Sequence, residues 1–474
     1  MAVGSVRDHD PSLLAAFGAD LGDALEQQLF FALRDGRSPA VGAPRVRAQL
    51  GSVLRTLAAA AAAVVPRAPR VNRPIVVLVR ERVHLEALRS IERELAARRG
   101  PPLLAVLVGR AARSRHTEGP RSVPLERLLH PALVPELLRL QARLPGRLRA
   151  ATRAWDDTLG PGDAERLRRV ASEELPRIGL AAFALASAIR RLHPSLVGGF
   201  DEVGTWARLA PALARAHATA SLDIPHAEAA DAEAIRGAGY DRMAVYGPRA
   251  AGVLRAAGIP PERIVEVGAP RFDALSTRYP ASASAVAPPR VVFAAQYLAG
   301  GMTTDALRLS YLGAVAAAER LAPSDLIVRP HPAEPPGTIA AVVAEGPRPE
   351  LVRIEVESSR SLHELLDGAR LLVTAWSNSV FEAALLGVPA IAIIPAGVTD
   401  PVRFAAEKLA VGVATPEQAA DAADRLRDPA EQFAVVEQAR AALAQHIGPP
   451  DGLASSRVAV LMITMATRHT EGAA

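Results

Sequence analysis

The sequence predicts an α/β protein with two parallel-sheet domains in tandem that face each other across a cleft. Short apolar runs of the kind that form buried strands alternate with amphipathic helical patterns over most of the chain. This alternation is typical of parallel sheets with helical crossovers. One stretch, Ser276 to Arg290, is rich in Pro, Ser and Ala and divides the alternation into two series. Such a composition is typical of an interdomain linker.

Composition is consistent with this organisation. The chain of 474 residues is 50% hydrophobic and 22% charged, so it can bury the cores of two or three globular domains. It contains no cysteine, which excludes disulfides, thiolate metal ligands and cysteine nucleophiles and fits a cytoplasmic protein. The adjacent acids Asp156 and Asp157 precede a Gly- and Pro-rich turn, where paired acids are usually solvated, so we predict no metal site.

The charge pattern argues against a nucleic-acid partner. The sequence pI is about 10.1, but the net charge is only +5 and the arginines are scattered among acids. Aromatic residues make up 4% of the chain, so stacking platforms for bases are scarce. We expect no signal peptide and no transmembrane helix. The predicted location is the cytoplasm, with peripheral association at the cytoplasmic face of the inner membrane as a further expectation.

The domain organisation follows from the same patterns. The N-terminal stretch from Ser12 to Ala63 is predicted to be helical, with an apolar stripe that includes Phe17, Leu21 and Leu25. The predicted segments are a helical extension (1–70), a Rossmann-like domain (71–275) with a helical insertion near 125–191, a linker (276–290), a second Rossmann-like domain (291–450) and a C-terminal helix and tail (451–474).

Each series contributes six predicted strands. The first set is Ile75 to Val79, Leu103 to Val108, Ser195 to Gly199, Ala218 to Ile224, Arg242 to Tyr246 and Arg263 to Val267. The second set is Val291 to Ala295, Asp325 to Arg329, Leu351 to Glu355, Leu371 to Thr374, Ala390 to Ile394 and Leu409 to Val413. Ligands of open α/β sheets bind at the carboxyl ends of the strands, so candidate site residues are sought there.

Two motifs follow strands of the second domain. The strand ending at Arg329 runs into Pro330-His331-Pro332, and the prolines stiffen the loop that presents Arg329 and His331. Arginine clamps phosphate oxygens, and histidine can donate a hydrogen bond or a proton to a leaving phosphate. Ser377, Asn378 and Ser379 begin a helix after another strand, and a polar helix start suits a phosphate. The alternative is that these serines only cap the helix.

In the first domain, His226 follows a buried strand and would face the cleft, where an imidazole can take a proton from a hydroxyl. The alternative is a structural or solvated histidine. Ser361 to Glu364 has the spacing of a capping box, so His363 and Glu364 are predicted to belong to a helix start rather than to a site. We assign no role to His84.

Four stretches together resemble the GT-B glycosyltransferases, and in particular the bacterial group of CDP-glycerol glycerophosphotransferases, polysialyltransferases and capsule polysaccharide transferases. They are RPHP at Arg329 to Pro332, TAWSNSVFEAALLGVPAI at Thr374 to Ile391, AGYDRMAVYGPRAAGVLRAAGIPPERIVEVGAPRFDAL at Ala238 to Leu275 and IPHA at Ile224 to Ala227. The second stretch also resembles the UDP-GlcNAc 2-epimerases. The likeness covers about Ser195 to Val413.

The resemblance implies a GT-B-like fold and a role for each matching residue. His331 and Arg329 would contact the donor phosphate, Ser377, Asn378 and Ser379 would bind the nucleotide phosphates, and Glu382 would bind the ribose hydroxyls. His226 would match the histidine of a His-Gly pair that acts on the acceptor. Here Ala227 replaces the glycine, which narrows the approach to the acceptor.

The function that the resemblance implies is transfer from a nucleotide-sugar or CDP-polyol donor to a glycan or polyol-phosphate acceptor in surface polysaccharide or glycoconjugate synthesis. No metal and no cofactor other than the donor substrate is expected. One alternative is a UDP-sugar 2-epimerase or hydrolase on the same fold, with Asp201 or Glu202 as further acids or bases. The other is a GT-B-like binding protein without catalysis.

Overall fold

The structure, a computed structural model, describes residues 15–34, 72–108, 121–153, 159–200, 202–227, 231–277, 288–296, 302–331, 337–395 and 403–471, with the single residues 58, 61, 111, 155 and 334. The predicted helix from residue 35 to residue 57, most of the linker and the pair Asp156 and Asp157 lie outside this range. The described strands form one short hairpin and two parallel sheets.

The start of the N-terminal extension, which was predicted to be helical, differs from that prediction. It begins with a hairpin of β1 (Ala15–Ala16) and β2 (Ala19–Asp20), and only then forms α1 (Gly22–Arg34). Phe17 occupies the turn with a positive φ of 53°, and its N–H donates to the carboxylate of Glu136. Phe17 therefore belongs to a turn, whereas Leu21 and Leu25 of the predicted stripe are fully buried against the first domain.

The first domain contains a seven-stranded parallel sheet in the order β5-β4-β3-β6-β7-β8-β9. Its strands are β3 (Ile75–Val79), β4 (Leu103–Leu107), β5 (Ser122–Pro124), β6 (Leu196–Gly199), β7 (Ala220–Asp223), β8 (Arg242–Val245) and β9 (Ile264–Glu266). Its helices are α2 (Arg82–Ala97), α3 (Val134–Ala151), α4 (Pro161–Leu192), α5 (Thr205–Ala216), α6 (Ala232–Ile235), α7 (Pro248–Ala256) and α8 (Asp273–Ser276).

The second domain contains a six-stranded parallel sheet in the order β12-β11-β10-β13-β14-β15. Its strands are β10 (Arg290–Ala294), β11 (Ser324–Arg329), β12 (Val352–Val356), β13 (Leu371–Thr374), β14 (Ala390–Ile393) and β15 (Val411–Val413). The helices that follow β10 in the chain are α9 (Thr304–Arg320), α10 (Thr338–Glu345), α11 (Leu362–Leu366), α12 (Ser379–Leu386), α13 (Pro416–Arg425), α14 (Pro429–Ile447) and α15 (Ala454–Glu471).

The prediction of an α/β fold with two parallel sheets is confirmed. Every predicted strand is present, with its ends within two residues of the predicted ones. The sequence analysis missed β5, an edge strand of three residues that ends in Pro124. In this strand Ser122 is exposed and Val123 is buried, so it has too few apolar residues to produce a recognisable pattern.

Both sheets place a topological switch point beside their first strand. In the first sheet the chain builds outward from β3 on one side and then crosses to β6 on the other; in the second it does the same around β10 and β13. In open parallel sheets the loops on either side of such a point generally diverge and leave a crevice at the carboxyl ends of the strands, where ligands bind. The two crevices are therefore where site residues are expected.

The end of the first domain packs into the core of the second. Tyr246 and Phe272 belong to the same buried cluster as Phe381, and the ring centroids of Phe272 and Phe381 are 6.3 Å apart. In the opposite direction, α15 returns to the first sheet, where Val458 and Met462 pack in one cluster with the strands β3 and β4. Each domain is thus completed by residues from the other part of the chain.

No helix in the described part of the chain is long and apolar enough to cross a membrane.

Candidate active site

Three loops of the second domain meet at the carboxyl end of β10. Ala294 pairs with Arg329 of β11 on one side and with Thr374 of β13 on the other, so the residues that follow these strands lie level with one another. The buried Thr374 hydroxyl donates to the Ala294 carbonyl at 2.8 Å and holds β13 against β10. The crevice is therefore flanked by the loop of Arg329 and His331 on one side and by the Ser377 loop on the other.

The start of α12 lies in this crevice. Asn378 is the N-cap residue, and its side chain makes no capping hydrogen bond. The Ser377 hydroxyl oxygen accepts from the Ser379 N–H at 3.3 Å, which is a long contact. Ser379 is buried, with 2% of its surface exposed, and its hydroxyl has no hydrogen-bond partner among the described residues. The alternative in which both serines cap the helix therefore does not account for Ser379.

Arg329 is the last residue of β11 and His331 lies on the loop after it, and both are half-buried. The Arg329 guanidinium donates to the Glu357 carbonyl at 3.2 Å, which directs the side chain along the sheet edge. Burial lowers the pKa of His331 below its usual value, and the carboxylate of Glu81 in the first domain opposes this shift. His331 is therefore neutral near pH 7 and can donate one ring N–H without carrying a charge.

Glu382, in the first turn of α12, is a buried carboxylate with two partners. Its Oε1 accepts from Arg271 Nη2 at 3.1 Å and lies 2.9 Å from His363 Nε2. Only 3% of Glu382 is exposed. Burial raises the pKa of this carboxyl, but the charge of Arg271 and the hydrogen bond from His363 outweigh burial and lower the pKa below its usual value. Glu382 is thus ionised and held by residues of both domains.

The crevice of the first domain contains a second cluster of titratable groups. Nδ1 of His226 lies 3.8 Å from Oε2 of Glu202, which follows β6, and both side chains are half-buried. The imidazole of His84 stacks on Phe200 with a centroid distance of 4.7 Å and meets His226 edge to face at 5.1 Å. Glu202 and His226, which follow β6 and β7 and were predicted as site residues, are therefore brought together with His84, which was assigned no role.

His84 is a buried histidine that is neutral near pH 7. Burial, followed by the charges of His226, Arg80 and Arg271, lowers the pKa of His84 to about 2. Its Nδ1 atom is buried and has no hydrogen-bond partner among the described residues. Since a buried ring nitrogen without a partner is costly, this atom marks the crevice as a place where a polar ligand group would be stabilised.

Arg271 joins the two crevices. It follows β9 at the end of the first domain, binds Glu382 of the second and lies close enough to His84 to lower the pKa of that ring. Arg271 thus contacts the predicted donor-side residue Glu382 and lies within electrostatic range of His84, which packs against His226. Burial lowers the pKa of Arg271, but the neighbouring Glu382 carboxylate outweighs this effect, so the pKa is raised.

Three site residues were missed by the sequence analysis. Arg271 stands in the quoted segment Pro270 to Asp273 but was given no role, and His84 follows β3 by five residues, at the start of the next helix. His363 is a correction: the capping box of Ser361 and Glu364 is present as predicted, yet the His363 side chain bonds Glu382 instead of serving the helix start alone. His84 could have been predicted from the sequence, because it comes shortly after the first strand of its sheet, where ligands usually bind.

The described residues contain no group of three or more His, Asp or Glu side chains that could hold a metal ion.

No protein-family model and no curated protein sequence matches the chain. Solved structures that are similar to it include three with a TM-score of 0.50. MnaA from S. aureus in complex with UDP is 13% identical, with 81% of this chain and 94% of that chain covered. The UDP-GlcNAc 2-epimerase from Neisseria meningitidis bound to UDP-GlcNAc is 12% identical, with coverages of 82% and 100%. A variant of the wall teichoic acid polymerase TagF is 12% identical, with coverages of 90% and 100%.

At these identities the likeness shows the fold. The chain has a GT-B-like fold, with two parallel-sheet domains whose switch-point crevices hold the predicted site residues. The expected fold class is thereby confirmed.

Proposed function

We propose that this protein transfers a sugar or a polyol phosphate from a nucleotide-activated donor to a hydroxyl of a glycan or polyol-phosphate acceptor, in the synthesis of a surface polysaccharide or glycoconjugate. The observation that carries the proposal is the contact between the two crevices through Arg271 and Glu382. One crevice holds a helix start with a buried hydroxyl that has no partner among the described residues, and the other holds a half-buried histidine beside a carboxylate.

The donor nucleotide would bind to the second domain. The start of α12 offers backbone N–H groups and the Ser379 hydroxyl to phosphate oxygens, as helix N-termini do for many anions. Arg329 would bind the same phosphates. Glu382 would accept from a ribose hydroxyl while His363 and Arg271 keep the carboxylate ionised. These are the assignments that the family resemblance implies.

The acceptor would bind to the first domain, with His226 as the base. Because Nδ1 faces Glu202, we assign the ring proton to Nδ1 and the basic lone pair to Nε2. The acceptor oxygen then forms a bond to the anomeric carbon or phosphorus of the donor as Nε2 takes its proton. The bond between that atom and the leaving phosphate oxygen breaks, and its electron pair departs with the nucleotide.

The charge that develops on the leaving phosphate would be stabilised by groups already in place. His331 is neutral near pH 7 and donates a hydrogen bond, while Arg329 and the α12 start supply positive charge and N–H donors. The carboxylate of Glu202 would stabilise the protonated form of His226 at the moment of transfer. The proposed reaction needs no resident cofactor.

An epimerase or hydrolase is the second candidate, and the position of Glu202 favours it. A nucleotide-sugar epimerase needs further acids and bases next to the sugar, and Glu202 lies beside His226 in the acceptor crevice. The similar structures include a UDP-GlcNAc 2-epimerase as well as a wall teichoic acid polymerase, so the fold fits both reactions. Release of free nucleotide from the donor in the absence of any acceptor would favour this second candidate.

The first experiment is a thermal-shift panel with CMP, CDP, UDP, GDP and dTDP, followed by turnover of the corresponding activated donors. Specific binding stabilises the native state by RT ln(1 + [L]/Kd), about 2.7 kcal/mol at a hundredfold excess over Kd. We expect one base to raise the melting temperature and His331→Ala to abolish that rise. A protein that binds none of the five nucleotides would refute the proposal, and binding that His331→Ala leaves unchanged would favour a non-catalytic binding protein.

A further inference from the structure

The segment Pro270 to Asp273, which follows β9, is held from both sides. Phe272 packs on Phe381 in the core of the second domain. The two carboxylate oxygens of Asp273 accept from the N–H groups of Ala454 and Ser455 at 3.0 and 2.7 Å and so begin α15. The backbone of Arg271 is therefore placed by two neighbours that have no part in the proposed chemistry.

The Arg271 side chain reaches between two helix starts. On one side it binds Glu382 in the first turn of α12. On the other side it lies within electrostatic reach of His84 and Glu86, in the first turns of α2. Each of these helices begins at the switch point of its own sheet. A helix N-terminus carries partial positive charge, so the space around Arg271 favours an anion.

We propose that Arg271 binds a phosphate of the nucleotide donor and thereby supplies, from the first domain, a cation to a site whose other phosphate ligands come from the second. This inference rests on the proposed function and adds one residue to it. A guanidinium has five N–H donors in a planar fork that matches phosphate oxygens, and the contact with Glu382 uses Nη2.

Glu382 permits Arg271 to be shared with a ligand. The same oxygen that accepts from Arg271 is also 2.9 Å from His363 Nε2, so this buried carboxylate keeps a partner if the guanidinium turns toward a phosphate. A buried carboxylate with a single partner would lose several kcal/mol in such a step. Arg271 itself is 25% exposed, in contrast to Glu382, so a ligand can reach it.

The test compares ligands that differ only in phosphate number. For the base selected by the thermal-shift panel, the Kd values of the nucleoside, the monophosphate and the diphosphate are measured by calorimetry with wild type and Arg271→Gln. We expect Arg271→Gln to weaken the diphosphate by about 10- to 100-fold and the nucleoside by less than about twofold, as a charge-assisted phosphate contact requires.

Arg249→Gln is the matched control. Arg249 also joins the two domains, through an ion pair of its Nε with Oε1 of Glu407 at 3.1 Å, and it stands on α7. Its removal should change the three affinities by equal, small factors. If Arg271→Gln does not fold, Arg271→Lys serves instead, since it keeps the charge and loses the fork; a severalfold loss confined to the phosphorylated ligands is then expected.

Two results overturn the inference while leaving the proposed function intact. One is an unchanged affinity of Arg271→Gln for the diphosphate; the other is an equal loss for nucleoside and diphosphate, which would make Arg271 a partner of Glu382 alone. If the wild-type protein binds none of the nucleotides, the proposed function fails together with the inference.

Discussion

The rings of His84 and His226 meet edge to face with their centroids 5.1 Å apart, at the carboxyl ends of the strands of the first sheet. Only His226 was singled out by the sequence. His84 is nearly inaccessible to solvent, and its pKa of about 2 keeps it uncharged beside the proposed base. A cationic neighbour at this distance would oppose protonation of His226, so a permanently neutral ring is compatible with a base there.

The first prediction concerns the pH dependence of stability. The folded pKa of His84 is about 2 and its unfolded value is 6.5, so the unfolded state binds more protons between these limits and stability falls as the pH drops below 6.5. We expect His84→Phe, which keeps a ring on Phe200, to reduce this loss by about 1.4 kcal/mol in total between pH 7.5 and pH 5.5. Urea unfolding of the wild type and of His84→Phe at pH 7.5 and 5.5 measures the loss of stability in each.

His331→Phe is measured in the same experiment, as the variant of a second, half-buried histidine. Burial lowers the pKa of His331 as well, so His331→Phe should also reduce the loss of stability on acidification. A His84→Phe variant whose stability falls with pH as steeply as that of the wild type would contradict the neutral state of His84.

The second prediction concerns catalysis. Once a donor is known, His226→Gln should lower kcat by about 10²- to 10⁴-fold, the usual contribution of a general base, with little change in the affinity for the nucleotide diphosphate. Glu202→Gln should lower kcat less and should change the pH dependence of kcat, because Glu202 would act through the charge on His226. A large loss of nucleotide affinity in His226→Gln would instead place His226 at the donor.

The third prediction gives opposite signs for stability and binding at one residue. The buried Ser379 hydroxyl has no partner among the described residues, so Ser379→Ala should leave the ligand-free melting temperature unchanged or slightly raised. The same variant should bind the nucleotide diphosphate more weakly, because the hydroxyl would serve a phosphate. Ser310→Ala is the control, since the buried Ser310 hydroxyl donates to the Ala306 carbonyl at 2.8 Å and its loss should destabilise without affecting binding.

The fourth prediction concerns the return of the chain from the second domain to the first. Gly448 has a φ of 73°, and an added Cβ would lie 2.7 Å from the Tyr246 carbonyl oxygen and 3.0 Å from the Gly268 Cα. The ψ of Gly448 is −172°, a combination with positive φ that is essentially restricted to glycine. Gly448→Ala should therefore destabilise by clearly more than the roughly 1–2 kcal/mol that a left-handed alanine costs. Gly258→Ala, at a φ of 81° with nothing within 4 Å of the added Cβ, combines a positive φ with open space and is the comparison. Equal losses in chemical denaturation would contradict the packing argument.

The sequence was sufficient for the features that depend on local pattern. Apolar runs such as Ile75 to Val79 and Leu371 to Thr374 are buried over their whole length and became strands with the predicted ends. The helix that starts after Ser377 could be located because Gly387, with a φ of 75°, and Pro389 mark its end. The prediction that Phe17 belongs to a helix was wrong. Its spacing fitted a helical apolar stripe, but the turn of the hairpin buries its side chain equally well.

The residues of the candidate site that follow individual strands could be predicted from the sequence, but the contacts between them could not. Arg271 and Glu382 are 111 positions apart, and nothing in either local pattern indicates that they touch. His363 was hidden because the capping box of Ser361 and Glu364 explained its surroundings. Such contacts depend on how the two sheets are placed against each other, and that placement results from packing between residues such as Phe272 and Phe381.

The return of α15 to the first sheet has a consequence for biosynthesis. Val458 and Met462 pack against strands that leave the ribosome almost four hundred residues earlier, so the apolar face around Ile75 and Val77, which α2 also covers, is completed only after the second domain has been synthesised. Domains usually complete their folding in the order of synthesis. Here the last element of the first domain is made after the second domain, so a nascent chain stalled before residue 454 would expose the part of that face that α15 covers.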